Sequence, residues 1–236
     1  MEIGEIISDA LVYPFQNIKA LLIYVILGII AGIAAGGTIY GMLMGAANGN
    51  GFAIGGSIVG LIIFLLIALL ISGYTLDIVK FGIERRADGP GIDIVRQITN
   101  AIKLLIVGIV YYIIPSILSW LLTTLLGNGV LTLLIVLIIA IVFALAEFMA
   151  KCRLAKTDSL GEGLAIGEAI GDISRIGIGK LIATVLVTVI ITIIVAFIIA
   201  LIFNFNATIG GILFGIFGVY VVFFYNRAIG LLYSNA

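Results

Sequence analysis

The stretch LIATVLVTVIITIIVAFIIALIF, Leu181 to Phe203, decides the fold. It holds no charged residue; Lys180 precedes it and the next charge is Arg227. One helical crossing of a bilayer takes roughly 20 apolar residues, so the gap from Lys180 to Arg227 has room for two. The same pattern occurs twice earlier, between Lys19 and Asp77 and between Lys103 and Glu147. All 12 basic and 12 acidic residues fall in the short stretches outside these gaps. The chain therefore reads as an all-α integral membrane protein of six transmembrane helices in three hairpins. The spans are expected at about 20–46, 53–78, 103–126, 129–150, 180–203 and 209–231.

Composition agrees. The chain has 236 residues, 63% of them hydrophobic and 10% charged, more apolar surface than a soluble domain of this length can hide. A net charge of +0 gives no basic surface for nucleic acid. There is no His and a single Cys, Cys152, so zinc clusters, haem ligation by His and an internal disulfide are not expected. The acidic first 18 residues and the long first apolar run argue against a cleaved signal peptide and for a permanent anchor.

The turns within the hairpins carry no charge: 46–51, 127–129 and 204–208 are rich in Gly and Asn, which supply turn geometry and backbone hydrogen bonding. Every Lys and Arg lies on the side of the termini and of the two long connectors, 84–103 and 151–180. The positive-inside rule puts that side in the cytoplasm, both termini included, and the setting is expected to be a plasma membrane.

The hairpins resemble one another. Asp9 to Lys19 and Asp93 to Lys103 place an acid and a base at equal spacing before an apolar run, and Glu168 to Lys180 is a looser third version. The closing ends also correspond: Tyr74, Asp77, Lys80; Phe143, Glu147, Lys151; Phe223, Asn226, Arg227. A single membrane domain over 1–236 is expected, with repeat units of about 1–82, 91–156 and 159–236. Before each hairpin stands an amphipathic stretch. Ile3, Ile6, Ile7, Ala10 and Leu11 share one helical face, as do Ile94, Val95, Ile98, Ala101 and Ile102. Ser159 and Glu162 have capping-box spacing for a third. Short interfacial helices are the expectation, either as simple lead-ins or as a lipid- or partner-sensing collar.

Small residues recur at intervals of four: Gly28, Gly32, Gly36 with Gly41 and Gly45; Gly56 and Gly60; Gly211 and Gly215. Such faces let helices approach closely in lipid. Thr184, Thr188 and Thr192 form a hydroxyl stripe that either bonds its own helix carbonyls or lines a polar path. Pro115 falls inside the third span, where it should kink the helix. Near the inner edge, Asp77 is expected to pair with Lys80 and Glu147 with Lys151, each about one turn apart.

Sites of chemistry are sparse. No ionisable residue lies near mid-membrane, which disfavours proton coupling. Glu84, Asp88 and Asp93 crowd one connector, but the Asp-Gly at 88–89 lacks the following residues of phosphatidyl transferases. No P-loop is present. Cys152, flanked by Lys151 and Arg153, is either a buried small residue or an acylation site. Asn206-Ala207-Thr208 matches an N-glycosylation acceptor in an external turn.

Asp9-Ala10, Tyr13-Pro14-Phe15, Ser72-Gly73-Tyr74, and Lys103-Leu104-Leu105-Ile106-Val107-Gly108 running on to Tyr112 and Pro115 resemble domain of unknown function 4013. That is a family of small multi-pass membrane proteins of methanogenic archaea. The resemblance implies an archaeal membrane setting, no established activity and no catalytic residues. The functional expectation is a non-enzymatic scaffolding or lipid-interacting component without cofactor or metal. It would contact membrane lipids and copies of itself or another membrane subunit. The alternative is a passive channel or carrier for a small solute or lipid.

Overall fold

The computed structural model describes residues 1–205 and 207–235, and within 203–215 the side chains of 205 and 213 only. Among the described residues nine helices follow one another and no strand occurs. They are α1 (Ile3–Gln16), α2 (Ile18–Asn48), α3 (Gly51–Ile83), α4 (Ile94–Leu126), α5 (Val130–Thr157), α6 (Leu160–Gly163), α7 (Ile166–Ile176), α8 (Ile178–Phe205) and α9 (Ala207–Tyr233). Six are long and apolar enough to cross a membrane: α2, α3, α4, α5, α8 over Ile178–Ile202, and α9 over Ile216–Tyr233. The helices of each successive pair, α2–α3, α4–α5 and α8–α9, pack on each other.

Turn chemistry sets the α2–α3 hairpin. Gly49 ends α2 at φ 61°, a left-handed conformation that costs glycine little. Asn50 opens α3, its side chain accepting from the backbone N–H of Phe52 (3.1 Å) and Ala53 (3.3 Å). The two helices then touch through glycine. A Cβ on Gly41 would stand 2.3 Å from Ser57 Oγ, one on Gly45 2.8 Å from Ile54 Cγ1, and one on Gly60 2.6 Å from Thr38 Oγ1. Thr38 donates to Ala34 O (2.8 Å) on its own helix and to Ser57 O (3.1 Å) across the contact. By contrast, a Cβ on Gly32, Gly36 or Gly56 would meet nothing within 4 Å, so these three do not close the hairpin. Gly32 and Gly36 sit on the other face of α2, because a run of glycines at 32, 36, 37, 41 and 45 covers more than one side of a helix of 3.6 residues per turn, and Gly56 of α3 is exposed. Gly28 is half-buried in α2, and the surroundings of Gly211 and Gly215 lie outside the described residues.

The core gathers at one end of the bundle. Ile6, Ala10, Val79, Ala146, Met149, Leu154, Phe224 and Leu232 are buried together, and beside them Tyr13, Tyr24, Tyr74, Ile78 and Phe223 form a second cluster. Tyr24 stacks on Tyr74 at 4.3 Å between ring centroids, with Phe223 edge-on at 5.8 Å. Two glycine crossings tighten this end. A Cβ on Gly73 of α3 would fall 1.7 Å from the Gln97 carbonyl oxygen of α4, and one on Gly230 of α9 would fall 2.4 Å from Val79 O of α3. Toward the opposite end, large apolar side chains such as Ile33, Phe52, Leu125 and Phe197 are exposed. That is the surface a hydrocarbon solvent would cover.

The amphipathic stretches depart from expectation. Residues 94–102 are the first turns of α4 and not a separate helix, since Asp93 caps a helix that runs unbroken through Pro115 to Leu126. α1 is separate, and Glu2 N donates to Glu5 Oε2 (2.8 Å) in a capping box. Its apolar face, Ile6, Ala10 and Tyr13, is spent on α9 and the core. Ser159 opens only the four-residue α6 and makes no side-chain cap bond, and the Glu162 carboxylate that would complete a capping box is held by Arg153. The third amphipathic helix is α7, which buries Ala169, Asp172, Ile173 and Ile176 and packs chiefly on α5.

Candidate functional site

The buried end of the bundle is also its polar end, and there the charges must find partners on other helices. A buried ion is tolerated only when paired and fully hydrogen-bonded. Asp77 of α3 accepts from Arg96 Nε (3.2 Å) and Asn100 Nδ2 (3.0 Å) of α4. Arg227 of α9, 1% exposed, donates to Asp9 Oδ1 (2.7 Å), Arg86 O (2.6 Å) and Phe81 O (3.2 Å). Its guanidinium lies 4.5 Å from the Tyr13 ring centre. Burial pushes the Tyr13 hydroxyl pKa up, so it remains neutral beside that cation. Asp172 of α7 accepts from Arg175 (2.8 Å), Arg153 (3.2 Å) and the Tyr233 hydroxyl (2.7 Å).

Neither expected intrahelical pair forms. Lys80 makes no ion pair with Asp77, whose carboxylate turns to Arg96 instead. Lys151 makes none with Glu147: its ammonium donates to Thr75 Oγ1 (2.9 Å) on α3 and Asn226 Oδ1 (2.6 Å) on α9. The reason in both cases is convergence. Where four helices meet, an acceptor on a neighbour is closer to the buried side of the helix than the residue a turn away.

Glu147 and Lys151 instead line a cleft of about 360 Å³ between α3, α4, α5 and α9. Its walls are largely apolar, with Leu69, Leu104, Leu105, Phe148 and Ile229, and Ser72 and Tyr225 add hydroxyls. Tyr225 meets Phe148 edge-on at 6.0 Å. A second cleft, also about 360 Å³, lies among Asp77, Lys80, Phe81, Glu84, Arg86 and Arg96. It is lined mainly by charged groups. Its Arg86 is engaged by Asp88 (2.5 Å), whose carboxyl the guanidinium holds below the ordinary carboxylate range.

The remaining candidates close down. Thr184 and Thr188 are each 1% exposed and face packed side chains, with Thr192 half-buried. Thr188 donates to Val185 O (2.8 Å) and Thr192 to Thr188 O (2.8 Å), while Thr184 Oγ1 has no partner. Two of the three hydroxyls thus turn back onto their own helix. Cys152 is fully buried, its thiol 3.9 Å from Ile229 O, which leaves no access for acylation. The 206–208 acceptor lies outside the described residues. Glu84, Asp88 and Asp93 do not converge: the first two turn to Arg86 and the third caps α4. Among the described residues no group of three or more His, Cys, Asp or Glu could hold a metal ion.

A family model described as "Protein of unknown function (DUF4013)" matches residues 58–205, well over half of the chain. The chain belongs to the DUF4013 family. In this DUF4013 protein the matched region runs from within α3 to the end of α8 and takes in Ser72, Glu147 and Lys151. No curated protein and no solved structure gives a match to the chain.

The cleft and the glycine crossings carry no periodic mark in the sequence. Gly73 and Gly230 are ordinary apolar-span glycines until the crossing partner is known. Glu147 and Lys151 were visible as inner-edge charges, but helical spacing alone paired them with each other.

Proposed function

We propose that this DUF4013 protein is a non-enzymatic multi-pass component of the plasma membrane that holds lipid at its polar end and assembles with copies of itself. The observation that carries this reading is the cleft between α3, α4, α5 and α9, where apolar walls meet an ammonium and a carboxylate. A lipid presents the matching pattern, an alkyl chain beside a polar headgroup, at the depth where a span ends. The charge sorting supports both termini in the cytoplasm, which makes this the inner leaflet. Three repeated hairpins, each led by its own amphipathic segment, would then share one orientation. α1 and α7 would serve as a collar at the lipid surface, their outward sides (Val12 and Phe15, Ile170) free for headgroups.

The packed centre favours this over a passive channel, since Leu145, Met149, Leu181 and Phe224 fill the place where the helices converge. Gly32, Gly36 and Gly56, uncovered within the chain, supply the close-approach surface that self-association in lipid needs.

Native mass spectrometry of the full chain released from mild detergent tests both parts. The expected spectrum has bound lipid and a dimer or higher species, with G32L and G36L shifting the population to monomer. A lipid-free spectrum from the parent chain overturns the lipid reading, and a purely monomeric one overturns self-association.

A further inference from the structure

The cleft holds opposite charges, on Glu147 and Lys151, that make no direct ion pair with each other. Lys151 has three N–H donors, and two go to the neutral oxygens of Thr75 and Asn226. No carboxylate lies within 4 Å of it among the described residues. An ammonium held this way at the edge of a hydrocarbon layer lacks a contacting counter-ion, and an anion brought against it offsets the cost of its burial. Glu147, one turn earlier on α5, is exposed into the same cleft and makes no hydrogen bond or ion pair among the described residues. Opposite it α4 presents Gly108, where an added Cβ would come no nearer than 3.6 Å to Glu147 Oε1. The missing side chain leaves that carboxylate open.

Resting on the lipid reading, we infer that this cleft selects an amphiphile whose headgroup carries an anionic group and a cationic amine together, the anion on Lys151 and the amine on Glu147. A purely anionic headgroup satisfies Lys151 but brings like charge to Glu147. A purely cationic one does the reverse. A headgroup joining phosphate to ammonium by a short linker satisfies both, and its chains lie along Leu104, Leu105 and Phe148. Along α5 the acid lies further into the membrane than the base, the reverse of the order in an extended phosphate–linker–amine headgroup. The headgroup therefore folds its amine back toward the chains.

The test measures binding of two short-chain lipids to the purified full chain in nonionic detergent by isothermal calorimetry. One carries phosphoethanolamine and the other phosphoglycerol, with inorganic phosphate and free ethanolamine as competitors. The parent chain is expected to favour the phosphoethanolamine lipid by about tenfold. E147Q is expected to bring the two lipids to within about twofold while still binding both. K151M is expected to lose both, and K151R to keep them, which separates loss of charge from loss of fold. Weak competition by inorganic phosphate supports the amphiphile as ligand, and competition at equal strength overturns it in favour of a free anion. Selectivity unchanged in E147Q overturns this inference and leaves the lipid reading standing. A parent chain that binds neither lipid overturns both.

Discussion

Gly73→Ala is expected to cost about 3 kcal/mol, the upper end of the usual overpacking range, and to remove most of the well-folded protein from a detergent extract. The sign is not obvious from propensity, because alanine favours a helix interior over glycine by about 1 kcal/mol. Geometry decides against it. The added methyl would sit 1.7 Å from Gln97 O and 2.4 Å from Gln97 C, both backbone atoms of α4 that no rotamer change can move. α3 and α4 would have to separate, and the separation would break the Tyr24 hydroxyl bond to Gln97 Oε1 (2.7 Å) and the Asp77 bonds to Arg96 and Asn100. Thermal unfolding followed by size-exclusion chromatography reads the result. Gly32→Ala and Gly36→Ala are the controls: nothing lies within 4 Å of their added carbons, and their melting temperatures should stay near that of the parent. Equal melting for Gly73→Ala and its controls would refute the crossing.

Arg227→Met should rank next. It keeps the length and apolar stem of the side chain and deletes the guanidinium. The Arg86 and Phe81 carbonyls lose a donor, and Asp9 loses its counter-ion. Removing one partner of a buried pair costs roughly 3–5 kcal/mol, and the 37% exposure of the Asp9 side chain puts this case at the low end. Arg227→Lys retains the charge but not the planar fork that reaches three acceptors, so it should fall between parent and Met. Asp9→Asn should cost least, because Arg227 keeps its carbonyl acceptors. Melting temperatures in that order support the arrangement. An Arg227→Met variant as stable as the parent would show that the cluster contributes little.

The six helices were legible because charge is costly in hydrocarbon and the chain sorts it without exception. Each apolar gap between charges became a pair of helices. Partner choice was less legible. Helical spacing offered Lys80 to Asp77 and Lys151 to Glu147, yet the structure gives Asp77 to Arg96 and turns Lys151 to Thr75 and Asn226. Periodicity describes one helix at a time, and at the crowded polar end the nearest oxygen belongs to another helix. The same limit explains residues 94–102. Their amphipathic face fits a helix lying flat, but with Asp93 capping them and no breaker before Lys103, continuing into α4 satisfies more backbone bonds than stopping. For Gly41, Gly45 and Gly60, spacing did point to a contact, since α2 and α3 are joined by a tight turn and have to touch.

Arg227 ties α9 to α1 and to the segment after α3, so helices far apart in sequence close a single joint. During synthesis α1 leaves the ribosome well before α9. Until the sixth crossing is inserted, Ile6, Ala10 and Tyr13 lack the α9 part of their packing and Asp9 has no cation. The nascent protein must therefore carry α1 incompletely packed, with Asp9 unpaired, until α9 has been made. A product terminated before α9 would stay permanently in that condition, a mark that cellular surveillance could read.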